Sequence, residues 1–207
     1  MRTLRNIIVL LALASPLLMT RDADACPNVT VPVFNQHVKK TKDAQAALDR
    51  EDLATAKRTV GSVLKLKDVK GIIGWTGTKD WREVGPVYRR AVRIDALATS
   101  RDPKATEEER TRALHDFEDE VMRELSEREK SDPTLLADHA ELQSRLPTRT
   151  GPALMVLRTL RDEDLLGSAH AFAALARLEK AAGKVDAEKD ARERCRNAAV
   201  KKSICDA

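Results

Sequence analysis

Between Ala44 and Leu64 apolar residues return at steps of three and four, and a charged corner, Asp49-Arg50-Glu51-Asp52, cuts the run in two. Spacing of this kind makes a continuous face only on an α-helix. The segment therefore predicts a helical hairpin with a tight connection: Ala44, Ala47 and Leu48 on the first helix, then Leu53, Ala56, Val60, Val63 and Leu64 on the second. A lone hairpin has too little apolar surface to stand by itself, so neighbouring hairpins must cover it. The remainder of the chain offers nothing but helices for that purpose. Aromatic residues make up only 3% of it, the β-branched runs expected of sheets are missing, and Ala, Leu, Arg, Glu and Lys dominate. The expected fold class is all-α, built from stacked antiparallel helical hairpins.

Residues 26–36 carry Pro27, Pro32 and Asn35 and read as an extended lead-in, with helix beginning at His37. The stretch from 68 to 80, Gly71-Ile72-Ile73-Gly74-Trp75-Thr76-Gly77 at its centre, is the least helical. Helix resumes near Asp80 and runs towards Ser100, with Pro86 either kinking it or starting its main segment. After the break at Asp102-Pro103, Thr106 followed by Glu109 forms a capping-box pattern. That pattern predicts a long helix to about Lys130, with Leu114, Phe117, Val121, Met122 and Leu125 on one face. Ser131-Asp132-Pro133 is the next stop-and-start signal, and helices are expected near 134–146, 152–162, 166–182 and 186–200. No linker divides this body, so residues 37–207 are expected to form one helical-repeat domain.

The first 25 residues have the three-part layout of an export signal. Arg2 and Arg5 open it, a mostly apolar run from Ile7 to Met19 follows, and Ala23-Asp24-Ala25 supplies the small-x-small pattern cleaved by signal peptidase. The run is shorter than the roughly 20 residues that a membrane-spanning helix needs, so no transmembrane segment is expected after cleavage between Ala25 and Cys26. A lipid anchor on Cys26 stays open, although Ala23 stands where lipoprotein processing prefers a Leu-like residue. Asn28-Val29-Thr30 is a glycosylation acceptor pattern that matters only in a eukaryotic source. The expected location is outside the bacterial cytoplasm: periplasmic or extracellular, with outer-membrane association open.

In an oxidising compartment Cys195 and Cys205 are the natural disulfide partners. An unbroken helix between them would hold their α-carbons roughly 15 Å apart, whereas a disulfide needs roughly 4.4–6.8 Å. The last helix must then stop near 199–202 and the tail must fold back. Free thiols, or a bridge from Cys26, are the alternatives. The formal charge of +4 arises from 37 Lys and Arg against 33 Asp and Glu. Without Arg2, Arg5, Arg21, Asp22 and Asp24 the balance is 34 against 31 over 182 residues. These charges interleave along the chain, as on a solvated surface, and no nucleic-acid partner is expected.

A repeat period supports the stacking. Ala137, Ala140 and Ala153 are matched 34 residues later by Ala171, Ala174 and Ala187, each set straddling two predicted helices. Trp81-x-x-Val84-Gly85-x-x-Tyr88 resembles the first-helix signature of tetratricopeptide repeats, with Val84 in place of Leu. Glu51-Asp52-Leu53-Ala54-Thr55-Ala56 is similar to the opening of that family's second helix, and Gly183-Lys184-Val185-Asp186-Ala187 looks alike, one residue short. The match is best over 131–200, and residues 89–130 depart from the 34-residue unit. The resemblance is to an irregular tetratricopeptide-like α-solenoid. It implies a curved stack whose inner helices line a groove for a peptide or extended protein segment.

Catalytic equipment is hard to find. His37, His115, His139 and His170 are scattered, without the spacing that puts two metal ligands on one helical face. His115 and Asp119 are four apart, as in a surface contact. Gly71, Gly74 and Gly77 lack the strand and the lysine of a phosphate-cradling loop. No Gly-x-Ser-x-Gly turn is present. No cofactor, metal or catalytic residue is assigned. Trp75, Trp81 and Tyr88, with Arg82, Arg89, Arg90 and Arg93 nearby, have the composition of a binding hot spot. Trp81 and Tyr88 equally suit inter-helix packing, which leaves Trp75 the clearest exposed contact. The expected function is a non-catalytic protein-binding or scaffolding module of the cell envelope. The alternatives are a helical cell-wall or polysaccharide enzyme, for which Asp116, Glu118, Asp119 and Glu120 are the densest carboxylates, and a lipid-anchored assembly factor.

Overall fold

A computed structural model describes residues 30–65, 79–123 and 127–206; side chains are described from Asn35 onward, excluding 66–84 and 124–128. The export signal, Cys26 and Trp75 lie outside the described residues, as does the side chain of Trp81. Contacts divide the chain after Val33. Of the first unit only Thr30–Val33 is described, as the first turn of a helix. The second unit spans Phe34–Ala207.

Eight helices make up the described chain, and no strand occurs among the described residues. They are α1 (Thr30–Asp49), α2 (Leu53–Leu64), α3 (Lys79–Arg101), α4 (Glu107–Phe117), α5 (Pro133–Gln143), α6 (Thr150–Asp162), α7 (Ala169–Ala181) and α8 (Val185–Ala198). A π-helical turn, Glu118–Met122, follows α4, and a single helical turn covers Glu127–Lys130. Helix α1 begins at Thr30, so residues 30–36 are helical rather than an extended lead-in. Pro32 falls in the first turn, where its missing N–H removes no hydrogen bond. Pro86 lies inside α3, with helix on both sides.

Helix resumes at Lys79, so Asp80 lies inside the helix rather than capping it, while side-chain caps hold other helix starts. Asp52 accepts from Thr55 N at 3.1 Å and Asp132 from Thr134 N at 2.9 Å. Thr106 and Glu109 close both bonds of a capping box. The long helix expected from Thr106 to Lys130 is instead interrupted: α4 ends at Phe117 and gives way to the wider π turn. Gly183, at φ +71°, ends α7. Lys184 N bonds back to Glu179 O and Gly183 N to Lys180 O, a reversal that needs a left-handed residue.

Burial shows how the helices pack. Ala44, Ala47 and Leu48 of α1 share one core with Ala56, Val60 and Val63 of α2, Ile94 and Leu97 of α3, and Leu114 and Phe117 of α4. Ala153 and Leu157 of α6, Ala171 to Ala176 of α7, and Ala191 of α8 belong to a second. Helix α5 serves both: Leu135 and Leu142 face the first core, Ala137 and Ala140 the second. It has almost no solvated face. Helix α3 packs on α2, α4 and α5, and α5 in turn packs on α6 and α7. Each odd-numbered helix from α3 to α7 thus touches the next helix, and α3 and α5 each touch the next odd-numbered one. The tail follows the disulfide condition. Helix α8 stops at Ala198, and a 3₁₀ turn, Lys202–Asp206, brings Cys205 back to Cys195 with α-carbons 5.8 Å apart and sulfurs 2.07 Å apart.

Candidate functional site

Three helices each turn one stripe towards a common groove. On α3, Tyr88, Val92, Asp95, Ala96 and Thr99 recur at helical spacing; on α4, Glu109, Arg112, Ala113 and Asp116 do so, with Glu120 continuing in the π turn. Lys57 and Leu64 of α2, seven residues apart, close the side. The result is two adjoining clefts of about 190 and 180 Å³ that share Asp95, Ala113 and Asp116. The floor is apolar: Val92 is 5% exposed and Ala96 2%. Carboxylates edge it. Burial pushes the Asp95 carboxyl above the usual aspartate range; Lys57 opposes this and the Asp116 carboxylate adds to it.

Of the three aromatics of the expected hot spot, only Tyr88 has a described side chain. Tyr88 is 4% exposed and forms part of the first core at the groove's edge, so it packs rather than projects. The acidic run also splits. Asp116 faces the groove and Glu120 lines it, while Glu118 Oε1 meets His139 Nε2 of α5 at 2.8 Å. Asp119 pairs with Arg123 at 3.5 Å in solvent, not with His115.

A second assembly of charges fills the interior between the helix pairs. Asp138 and Glu141, one turn apart on α5, are both buried. Arg93 of α3 pairs directly with Asp138, and Arg101 grips Glu141 with two bonds of 2.8 and 3.0 Å. Glu51 reaches the same place from the α1–α2 corner, 3.9 Å from Arg101 Nη1 and 2.6 Å from His170 Nε2. Its backbone is left-handed at φ +61°, a state that costs a non-glycine residue about 1–3 kcal/mol unless its surroundings hold it. Arg101 and His170 are those surroundings. Burial pushes Asp138 up, to about 6, and outweighs the pull of Arg93, with Glu141 adding to the upward shift. Burial also presses on Glu141, but the Arg101 guanidinium wins and holds that carboxyl below the usual glutamate range.

Sequence reasoning missed both assemblies, because it took these charges for solvated faces. One signal was present: on α5, Asp138 and Glu141 interrupt a helix otherwise rich in Ala and Leu. Among the described residues no group of three or more His, Cys, Asp and Glu is placed to hold a metal, and no helix is long and apolar enough to cross a membrane. No protein-family profile matches the chain, and neither a curated protein nor a solved structure is significantly similar to it.

Proposed function

We propose that this chain is an exported, non-catalytic scaffold of the bacterial cell envelope, an irregular tetratricopeptide-like stack that holds a partner polypeptide. The groove between α3 and α4 is where a basic side chain of that partner enters. One observation carries the reading: an apolar floor, Val92, Ala96 and Ala113, edged by Asp95, Asp116 and Glu120. A lysine or arginine has the matching build, an aliphatic stem with a charged tip.

Size argues in the same direction. Sites for small-molecule ligands usually enclose roughly 300–1,000 Å³, and the larger of the two clefts is about 190 Å³. Each of the two adjoining clefts has room for one side chain of a longer chain. The packing of α3 on α4 and α5, repeated by α5 on α6 and α7, is the neighbour pattern of a helical-repeat stack and supports the tetratricopeptide-like reading.

Fluorescence anisotropy with labelled lysine- or arginine-containing peptides tests the proposal. Saturable binding that weakens with salt and drops at least tenfold in an Asp95→Asn/Asp116→Asn variant is expected. Binding indifferent to peptide charge, or unchanged in the variant, would count against it. Mass measurement of the chain recovered from a bacterial envelope fraction, expected to begin at Cys26, checks the export half.

A further inference from the structure

Arg101 and Arg145 lie within electrostatic reach of two carboxylates, Glu141 and Glu51; Arg177 lies within reach of Glu141, and Arg110 of both Arg145 and Arg177. Both carboxylates are already engaged. Glu141 is held by both arms of Arg101, and Glu51 Oε1 lies 2.6 Å from His170 Nε2 and 3.9 Å from Arg101 Nη1 as an ion pair, without a hydrogen bond of good geometry. The other three guanidiniums come from elements far apart in the chain: Arg110 from α4, Arg145 from the turn after α5, and Arg177 from α7. None of the three has a carboxylate of its own among the ion pairs of the described residues.

Their hydrogen bonds are correspondingly few. Arg110 Nη2 donates to Asp102 O at 3.0 Å, and Arg177 Nη2 to Ser144 Oγ at 3.2 Å. The Ser144 hydroxyl donates onward to Glu141 O at 2.7 Å, which ties Arg177 to the end of α5. Yet the Nε of Arg110 and the Nε of Arg145 are both buried with no hydrogen-bond partner. A buried donor left unsatisfied is costly, and more so when it is charged.

The electrostatics agree with the geometry. Arg177 is pushed down to about 10, first by burial and then by the positive charge of Arg145, with Arg110 adding to it and Glu141 only partly opposing. Arg145 is lowered by burial, with Arg110 and Arg101 adding to the fall against what Glu141 and Glu51 return. Like charges brought together in a partly buried place, with donors to spare, lack a counter-charge. All three side chains remain partly exposed, so that counter-charge can arrive from solvent.

We infer that Arg110, Arg145 and Arg177 form a binding site for a phosphate group, separate from the α3–α4 groove and independent of the reading given to it. Arginine is suited to such a site because its planar fork presents several N–H donors to the oxygens of one phosphate, and because it keeps its charge where lysine would lose it. Three forks, from α4, the end of α5 and α7, would enclose the anion and tie the two cores together around it.

Calorimetric titration and thermal unfolding of the full chain test the site, using inorganic phosphate, phosphoserine, acetate and chloride at matched ionic strength. Saturable heat and a rise in Tm with inorganic phosphate, absent with chloride and acetate, are expected. Tighter binding of phosphoserine assigns the site to a phosphate ester, and tighter binding of inorganic phosphate to the free ion; each supports a phosphate site. Arg145→Gln should raise Tm in chloride, because one repelling cation is gone, while lowering phosphate affinity at least tenfold. Arg177→Gln should lower phosphate affinity similarly, and Arg123→Gln, in solvent after the π turn, should change nothing. Phosphate behaving like chloride would overturn the inference. So would an Arg145→Gln protein that is less stable in chloride and binds phosphate as before.

Discussion

Arg101 and Glu141 meet through two hydrogen bonds, Nε to Oε1 at 2.8 Å and Nη2 to Oε2 at 3.0 Å, with side chains only 8% and 2% exposed. The pair fastens α3 to α5 at the place where the two cores adjoin. Such a bridge is a weak source of net stability but costly to break from one side, since the surviving partner stays buried and charged.

Glu141→Gln should therefore destabilise the protein by about 3–5 kcal/mol in urea unfolding, whereas Arg101→Met/Glu141→Leu should cost much less. The same carboxyl sets an acid limit. Its folded pKa lies below the unfolded value, so its contribution is complete above the usual glutamate pKa and is lost as pH falls through the depressed one. The wild-type protein should lose stability steeply in that range, and Glu141→Gln should show a flatter acid limb.

Asp138 behaves in the opposite sense. Burial raises it from 3.8 to about 6, so the folded state binds a proton that the unfolded state has released. Its contribution to stability falls as pH rises from about 4 to 6. Asp138→Asn should abolish that slope, read as urea midpoints at closely spaced pH values. An unchanged slope in the variant would place the titration elsewhere.

The tail depends on Cys195–Cys205, ten residues apart and both buried. Arg192 Nη1 donates to Cys205 O at 2.8 Å, and Arg196 reaches Asp206 at 3.4 Å. Closing so short a loop is worth about 2–3 kcal/mol if the gain comes from chain entropy. Cys195→Ser/Cys205→Ser should lower stability by about that amount, with faster hydrogen exchange in Val185–Ala198 and little change in Leu53–Leu64.

Asp95 trades stability against binding. Its carboxyl is raised by burial, so ionisation costs the folded state as pH climbs through its pKa. Asp95→Asn should be more stable than wild type at neutral pH, yet bind basic peptides less tightly. Peptide affinity of the wild type should rise with pH over the same interval, because a bound cation favours the ionised form.

The features legible in the sequence are the local ones. Thr106 and Glu109 are three residues apart, and their capping box depends on nothing beyond one helical turn. If Cys195 and Cys205 pair, α8 must end between them, and the helix stops one residue before the expected range. The features that escaped depend on distant partners. Arg101 and Glu141 are 40 residues apart, and nothing within a turn of Arg101 distinguishes it from solvated charges; the Ala and Leu around Glu141 are the one local signal. The groove is assembled from stripes on α2, α3 and α4, so Asp95 and Asp116 gain meaning only once those helices are placed. The interruption after Phe117 likewise defeats an apolar spacing that would suit an unbroken helix through Val121.

Everything proposed for the groove between α3 and α4 requires that it accept a basic side chain of a polypeptide. Titration of isotope-labelled protein with a lysine-containing peptide, followed by NMR, reads that event residue by residue. Amide shifts concentrated at Val92, Asp95, Ala96, Ala113 and Asp116, absent with the peptide in which that lysine is replaced by glutamate, are expected. Shifts confined to α6, α7 and α8, or the same pattern with either peptide, would contradict it.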